Sequence, residues 1–362
     1  MKTIRRLILL GIVAMMSLGG SGLHAQTLES DSLALVDLYN ECGGEGWTGF
    51  ESWLNGPIST WYDVTVDSAT QRVTHVEFSR MTLTGTLPES LGNLDQMSGK
   101  IQLNNQEGLT GELPAFLWNW VNVERFQVKF CGFTSIDVTG MENMVNLTEF
   151  NSENTPIAGT VPGVLFTLPA MEKLYLHDSE YDALPAELAA VSGLDRLYLN
   201  GNNLTEIPDM SGIVWKSGAK VRFHNNMLDF ADLEPNMPLT MDTLVEEFRY
   251  SPQAMTGAAS YTYAGAGEAA TLTSNVGGSG NIYTWVFGED EVVAETANYE
   301  IAAFDPTTQS GAYFALVQSS IVPGLDITTP TSYLFESPLA QDSLALVDLY
   351  NDCGGEGWTG FE

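Results

Sequence analysis

Cysteine is nearly absent: Cys42, Cys131 and Cys353 are all that 362 residues contain. So few exclude a disulfide scaffold and leave stability to packing. Cations are scarce as well, 14 Lys and Arg against 46 Asp and Glu, for a formal net charge of -32. A nucleic-acid binder draws its affinity from basic groups on the phosphates, and an anionic membrane surface attracts basic segments, so neither is an expected partner. Histidine occurs only four times, His24 included, which is too few for a histidine-rich metal site. The chain also lacks HExxH, CxxC, a phosphate loop, a serine elbow and a DxDxDG calcium loop. We therefore expect no catalytic residue, no cofactor and no bound metal, and a protein that is not an enzyme.

Long apolar runs are missing except at the start. Lys2, Arg5 and Arg6 precede the apolar stretch Leu7 to Leu18, and Leu23-His24-Ala25 leads to a cut before Gln26. Residues 1–25 thus read as an export signal, shorter in its apolar part than the ~20 residues that span a bilayer. Its removal takes away three cations and no acid, and no transmembrane segment follows. What the chain does have is 44% hydrophobic residues, 35 Gly and 15 Pro. That composition predicts folded, turn-rich domains, with room for two.

The chain repeats itself at two scales. Asp31 to Glu51 reads DSLALVDLYNECGGEGWTGFE, and Asp342 to Glu362 repeats it with Glu41 replaced by Asp352 as the one change in 21 positions. A module therefore begins again at 338–362, where we expect a helix with little to pack against. At the shorter scale, LDRLYLNGNNLTEIP (Leu194–Pro208) and MEKLYLHDSEYDALP (Met171–Pro185) are copies of one motif. Aligning the last apolar strand residue of each copy gives Phe78, Leu103, Val128, Phe150, Leu176, Leu199 and Phe223, at steps of 22 to 26 residues. Such a period predicts a solenoid of short strands and apolar returns, since one unit cannot bury its own apolar side.

IQLNNQEGLTGELP (Ile101–Pro114) and VEFSRMTLTGTLP (Val76–Pro88) resemble the plant-type leucine-rich repeat family. The resemblance implies a parallel β-sheet on a concave face and an irregular or 3-10 convex side. It gives the ladder position of the turn to Asn202 and Asn226, and to Met81, Gln106, Cys131, Glu153 and Ser179 in other copies. Cys131 is then a small structural residue of the turn rather than a catalytic thiol. Residues 26–71 resemble the family's N-terminal cap. Leu35, Leu38, Tyr39 and Cys42 share one helix face, Asp31 is placed to cap that helix, and Trp47, Trp53 and Trp61 seal the end of the solenoid. Val66 stands where the family carries the partner of the cap cysteine, so Cys42 is left either as a small buried hydrophobe or paired elsewhere.

The solenoid is expected over 72–248, with Asp229–Gln253 as closing turn and linker. Over 249–337 the period is lost, and runs around Leu272, Trp285, Ile301 and Tyr313 predict strands of a β-sandwich. This part resembles a cysteine-free immunoglobulin-like domain, with Trp285 at its core and Tyr313 making a corner contact.

Strand alternation puts the scarce cations on the concave face. The row before the strand centre reads His75, Lys100, Arg125, Leu147, Lys173, Arg196 and Lys220; the next reads Glu77, Gln102, Gln127, Glu149, Tyr175, Tyr198 and Arg222; the last reads Ser79, Asn104, Lys129, Asn151, His177, Asn200 and His224. We take Lys100, Arg125, Lys129, Lys173, Tyr175, His177, Arg196, Tyr198, Lys220, Arg222 and His224 as the candidate ligand-binding set. They suit an acidic glycan or an acidic protein segment, with the tyrosines stacking on it. The alternative is that Glu77, Glu124, Glu149, Glu172 and Asp195 neutralise these cations and the row only keeps the sheet soluble. The expected function is a secreted or cell-surface binding and adhesion protein, as the resemblance to bacterial surface repeat proteins implies. A structural stalk of tandem modules, or the accessory region of a larger exported enzyme, is the alternative.

Overall fold

A computed structural model describes residues 22–254, 257–338, 346, 347, 349, 350 and 352. Most of the expected signal segment lies outside them, as does most of 342–362. The described residues form two compact units, one reaching Asn226 and including Pro238–Tyr250, the other made of Met227–Met237 and the residues from Ser251 on.

The first unit opens with helix α1, Gly22–Glu41. It ends where Gly43 turns left-handed at φ 83°, a conformation that glycine adopts without a Cβ penalty. Leu35, Leu38 and Cys42 are fully buried, and the Cys42 thiol is free and donates to the Thr86 carbonyl at 3.3 Å. Of the two readings of Cys42, the structure shows the small buried hydrophobe. Asp31 does not cap the helix but lies inside it. Its buried carboxylate accepts from Arg72 Nε at 3.0 Å, from Arg72 Nη2 at 2.9 Å and from the Val73 amide at 2.8 Å. Trp47, Trp53 and Trp61 are buried in one aromatic cluster, and each indole donates to a backbone carbonyl, of Thr82, Tyr62 and Gly56. An antiparallel hairpin, Val64–Val66 with Val73–Val76, completes the cap.

The solenoid follows as a parallel sheet in chain order: β1 (Ser98–Gln102), β2 (Asn122–Gln127), β3 (Glu149–Asn151), β4 (Lys173–Tyr175), β5 (Arg196–Tyr198), β6 (Ala219–Arg222) and β7 (Val245–Arg249). Most chain turns return through a 3-10 segment, the turn from Tyr198 to Ala219 being the exception. Those at Glu89–Asn93, Ala115–Asn119, Gly163–Phe166 and Ala186–Ala190 each follow a proline, Pro88, Pro114, Pro162 or Pro185. Proline presets the φ of such a turn and gives up an amide that the turn does not need. The stacked parallel strands, their period and the proline-led returns are those of a leucine-rich-repeat solenoid.

Three expectations are corrected here. Phe78 follows the cap hairpin and is not on the seven-stranded sheet, whereas Val245–Arg249, read as part of the closing turn and linker, supplies its seventh strand. In the fourth copy Phe150 pairs with Phe126 and Leu174, so the residue equivalent to Val128 and Leu176 is Ser152. Leu147 is accordingly a buried inner residue and not a concave one. The ladder position of that copy moves with it from Glu153 to Thr155.

The corrected ladder repeats one bonding pattern. Gln106, Cys131, Thr155, Ser179 and Asn202 each donate to a carbonyl of the preceding chain turn, of Phe78, Leu103, Val128, Ser152 and Leu176 in order. Asn226 continues it by donating to Leu199. Four of them also accept an amide: Gln106 from Leu83, Thr155 from Cys131, Asn202 from Tyr181 and Asn226 from Leu204. The turns, which no sheet ladder serves, are thereby satisfied one by one.

The second unit is all-β apart from short helical turns. Its larger sheet holds β8 (Ser260–Ala264), β10 (Asn281–Phe287), β11 (Glu291–Ala294), β13 (Gly311–Ser319), β14 (Ile327–Thr328) and β15 (Ser332–Glu336); β9 (Ala270–Thr273) and β12 (Asn298–Ile301) pair separately. Trp285 is fully buried and donates to the Thr296 carbonyl at 3.0 Å, and the buried Tyr313 donates its hydroxyl to the Gln309 carbonyl at 2.7 Å. Residues 346, 347, 349, 350 and 352 are helical.

Candidate functional site

The strand register fixes which side chains neighbour one another on the concave sheet. One row runs Lys100, Arg125, Glu149, Lys173, Arg196, Lys220, Glu247. The next runs Gln102, Gln127, Asn151, Tyr175, Tyr198, Arg222, Arg249. Two residues further on, backbone bonds between adjacent turns align Lys129, Glu153, His177, Asn200 and His224, with Asn104 before them. All eleven candidate residues lie on these rows, which also bring in Glu149, Glu153, Glu247 and Arg249.

The acids divide the cationic row and pair with much of it. Lys173 lies 3.8 Å from Asp195, which also binds Arg196; Lys220 lies 3.1 Å from Glu246, and Lys129 3.8 Å from Glu153. Arg222 holds Glu247 by two bonds, Nε at 2.9 Å and Nη2 at 3.0 Å. That fork keeps the Glu247 carboxyl below its ordinary range. Asp195 thus takes the neutralising role expected of it, Glu172 pairs instead with Lys216, and Glu149 accepts from Gln127. Among the described residues no carboxylate pairs with Lys100, Arg125 or Arg249, of which Arg125 and Arg249 are exposed.

The two halves of the face differ in chemistry. Toward the cap, Gln102, Asn104 and Gln127 bond one another through the Gln127 carbonyl, at 3.3 and 3.4 Å, in an amide network. Further along, Tyr175 meets Tyr198 edge to face at 5.2 Å, and the Arg222 guanidinium covers the Tyr198 ring at 4.1 Å. The Tyr198 face is therefore taken by a cation of the protein itself and is not the open platform a sugar ring would need. Burial raises the pKa of the Tyr175 hydroxyl, with Glu149 acting the same way.

Beside this cluster lie three adjacent side chains with unmet bonds. His177 Nδ1, Asn200 Oδ1 and His224 Nδ1 are buried atoms without a hydrogen-bond partner. Burial pushes the His224 pKa down to about 4, with Arg249 and Arg222 adding to the shift and Asp178 and Glu247 opposing it. His177 is lowered by burial too, against the pull of Glu153 and Asp178. Both imidazoles are neutral near pH 7, each with one donor and one acceptor nitrogen. A buried polar atom left unpaired costs about 1–3 kcal/mol, so these three side chains are held in place by their surroundings at a cost to the fold.

Other surfaces are weaker candidates. A wide depression lined by Asn93, Asn119, Asn122, Asn143 and Asn146 carries one cation, Arg72, already paired with Asp31 and Asp95. Among the described residues no group of three or more His, Cys, Asp or Glu is placed to hold a metal ion, and no helix is long and apolar enough to cross a membrane. Cys131 is no site either: burial pushes its thiol up to about 12, and it donates to Leu103 at 2.9 Å.

The sequence matches no family model and no curated protein. Solved structures match this chain at low identity. The Arabidopsis thaliana receptor kinase HAESA, in complex with the peptide hormone IDA and the co-receptor SERK1, is 18% identical with a TM-score of 0.49, over 64% of this chain and 43% of that one. A plant ice-binding protein is 16% identical with a TM-score of 0.43, over 64% of this chain and 88% of that one. The BIR3–SERK2 complex from Arabidopsis thaliana gives 21% identity and a TM-score of 0.40, over 49% and 96%.

Proposed function

We propose that this chain is an exported binding protein of the cell surface or its surroundings, and that the concave face from Tyr175 to Arg249 takes an acidic protein segment. The observation that carries the reading is the gathering of cations on this face, with Arg249 exposed and, among the described residues, no carboxylate within ion-pair distance of it, beside the polar row of His177, Asn200 and His224. An acidic segment laid across the strands meets one side chain of each row about every 4.8 Å, and a carboxylate on the segment fits Arg249. An acidic glycan is the second reading. It is less favoured because Arg222 already covers Tyr198. The all-β unit, with its buried Trp285 and its Tyr313 corner bond, serves in this reading as an immunoglobulin-like spacer.

The test is selection from a displayed peptide library and a panel of neutral, carboxylated and sulfated glycans at ~0.15 M salt. Acidic peptides are expected, with binding at least ten-fold weaker to Arg249→Ala and His224→Ala and unchanged for Lys216→Ala, which lies off the concave rows. Selected ligands that bind these three variants alike would remove the concave face from the reading.

A further inference from the structure

The larger sheet of the all-β unit is apolar on both sides. Its strands neighbour one another in the order β8, β15, β13, β10, β11. Tyr313, Ala315, Val317, Trp285 and Leu334 point to one side and are buried in the core. The alternate residues point to the other side. There Tyr261 stands beside Tyr333 and Tyr263 beside Phe335, with Leu316, Ile282 and Val292 on the strands beyond. Six of these seven are 36–61% exposed, and Tyr333 is half-buried. The solvated side of a sheet ordinarily carries polar residues. Here the outward positions of the five strands hold no charged residue, and their polar members are Thr284 and Gln318. Acids begin at the rim, where Gln318 donates to Asp326 at 2.7 Å.

We propose that this face pairs with the same face of a second copy of the chain. Ring geometry bears on the occupant. Tyr261 and Tyr333 lie 5.2 Å apart with planes 14° from parallel, and Tyr333 and Phe335 5.8 Å apart at 12°. Rings so close and so nearly parallel overlap, so their faces are turned on one another and not outward, as a sugar platform would need. What covers a flat apolar sheet face of this kind is another sheet, packed about 10 Å away. Charge narrows the choice further. Residues 251–337 contain acids and no Lys or Arg, in a chain of net charge -32. Two copies repel over most of their surfaces, and an uncharged face is where they meet with least opposition. A basic partner would find its counter-charges only at the rim. Five strands about 4.8 Å apart, with outward residues about 6.8 Å apart along each, make a patch of roughly 24 by 20 Å. Covering it on both copies removes on the order of 1,000 Å² from water, the lower end of specific interfaces and the size of a reversible one. Like faces meet about a two-fold axis, so the contact closes at two copies.

The experiment is sedimentation equilibrium of the full chain from ~1 μM to ~1 mM, the affinity range of weak interfaces. A monomer–dimer equilibrium is expected, and it tightens between ~0.01 and ~0.15 M salt as the repulsion of the acidic bodies is screened. Tyr261→Glu with Val292→Glu weakens it at least ten-fold, whereas Met241→Glu, at an 86% exposed position of the other unit, leaves it unchanged. Should the acids disturb the near-UV spectrum of the unit, Ile282→Gln with Leu316→Gln, uncharged and at exposed positions, shows the same loss of dimer. A chain that stays monomeric throughout, a dimer that both pairs of substitutions leave intact, or one that weakens over that rise in salt would each overturn the proposal. So would a monomer that binds insoluble cellulose or chitin and loses it with the same substitutions, which would assign the face to a saccharide.

Discussion

Cys131 shows how one side-chain position governs a whole chain turn. Its thiol stands where Ser179 and Thr155 place a hydroxyl and Asn202 an amide, and all four donate a hydrogen bond to the chain turn before. What the position demands is a donor, which five residue types satisfy once Gln106 is counted. His224 is a residue of the opposite kind, buried with one nitrogen unpaired. Its pKa lies near 4 in the folded chain against an ordinary 6.5. The unfolded chain therefore binds the proton first as pH falls, so the stability that neutral His224 contributes is complete above about pH 6.5 and is lost progressively toward pH 4. Denaturant midpoints measured from pH 7.5 to 4 should fall less steeply for His224→Gln than for the unaltered protein. Parallel curves would show that His224 titrates normally.

At the scale of elements, α1 is tied to the solenoid by a buried ion pair. Asp31 is fully enclosed, and Arg72 is its cationic partner, with its own pKa raised first by that bond. Removing the arginine leaves a buried carboxylate with only the Val73 amide for company. Arg72→Ala should cost about 3–5 kcal/mol, the range for breaking one side of a buried pair, while Asp31→Asn, whose one oxygen can still accept from Arg72 Nε and the Val73 amide and which removes the charge, should cost less. Equal losses for both in equilibrium unfolding would mean that packing, not charge, holds the helix. Asp31 was read from the sequence as a cap because aspartate before an apolar stripe usually is one; only the fold brings Arg72 to it. The solenoid itself was legible because its period is written in every copy, and the concave rows followed from alternation. The fourth copy misled because Ser152 occupies an apolar column. Its small side chain leaves room for the buried Tyr181, whose hydroxyl lies 3.4 Å from it, and taking the last apolar residue of the copy then slipped to Phe150. Glu149, Asn151 and Glu153 were displaced by that one step. Arg249 was missed because β7 lacks the repeat's polar turn, and its strand shows only in its pairing with β6.

Across the whole molecule, charge is strongly segregated. After residue 25 every Lys and Arg falls between Arg72 and Arg249, and Lys100, Arg125, Lys129, Lys173, Arg196, Lys220, Arg222 and Arg249 all belong to the concave rows. A chain of net charge -32 therefore gathers most of its cations on one face of one sheet. The two charge distributions act at different ranges on an acidic ligand. At ~0.01 M ionic strength the Debye length is about 30 Å and the repulsion of the whole chain reaches the approaching ligand; at ~0.15 M it is about 8 Å, and the ligand senses mainly the cations it is about to touch; at ~1 M it is about 3 Å, and these fade too. The association rate of an acidic peptide selected on the concave face should rise between the first two conditions and fall toward the third. A groove on a basic protein would give a steady fall from the lowest salt. Stopped-flow association across that series separates them: a monotonic fall would mean that the acids of the body lie too far from the concave face to matter, and a rate indifferent to salt would mean that the bound segment does not use Arg249 and its neighbours at all.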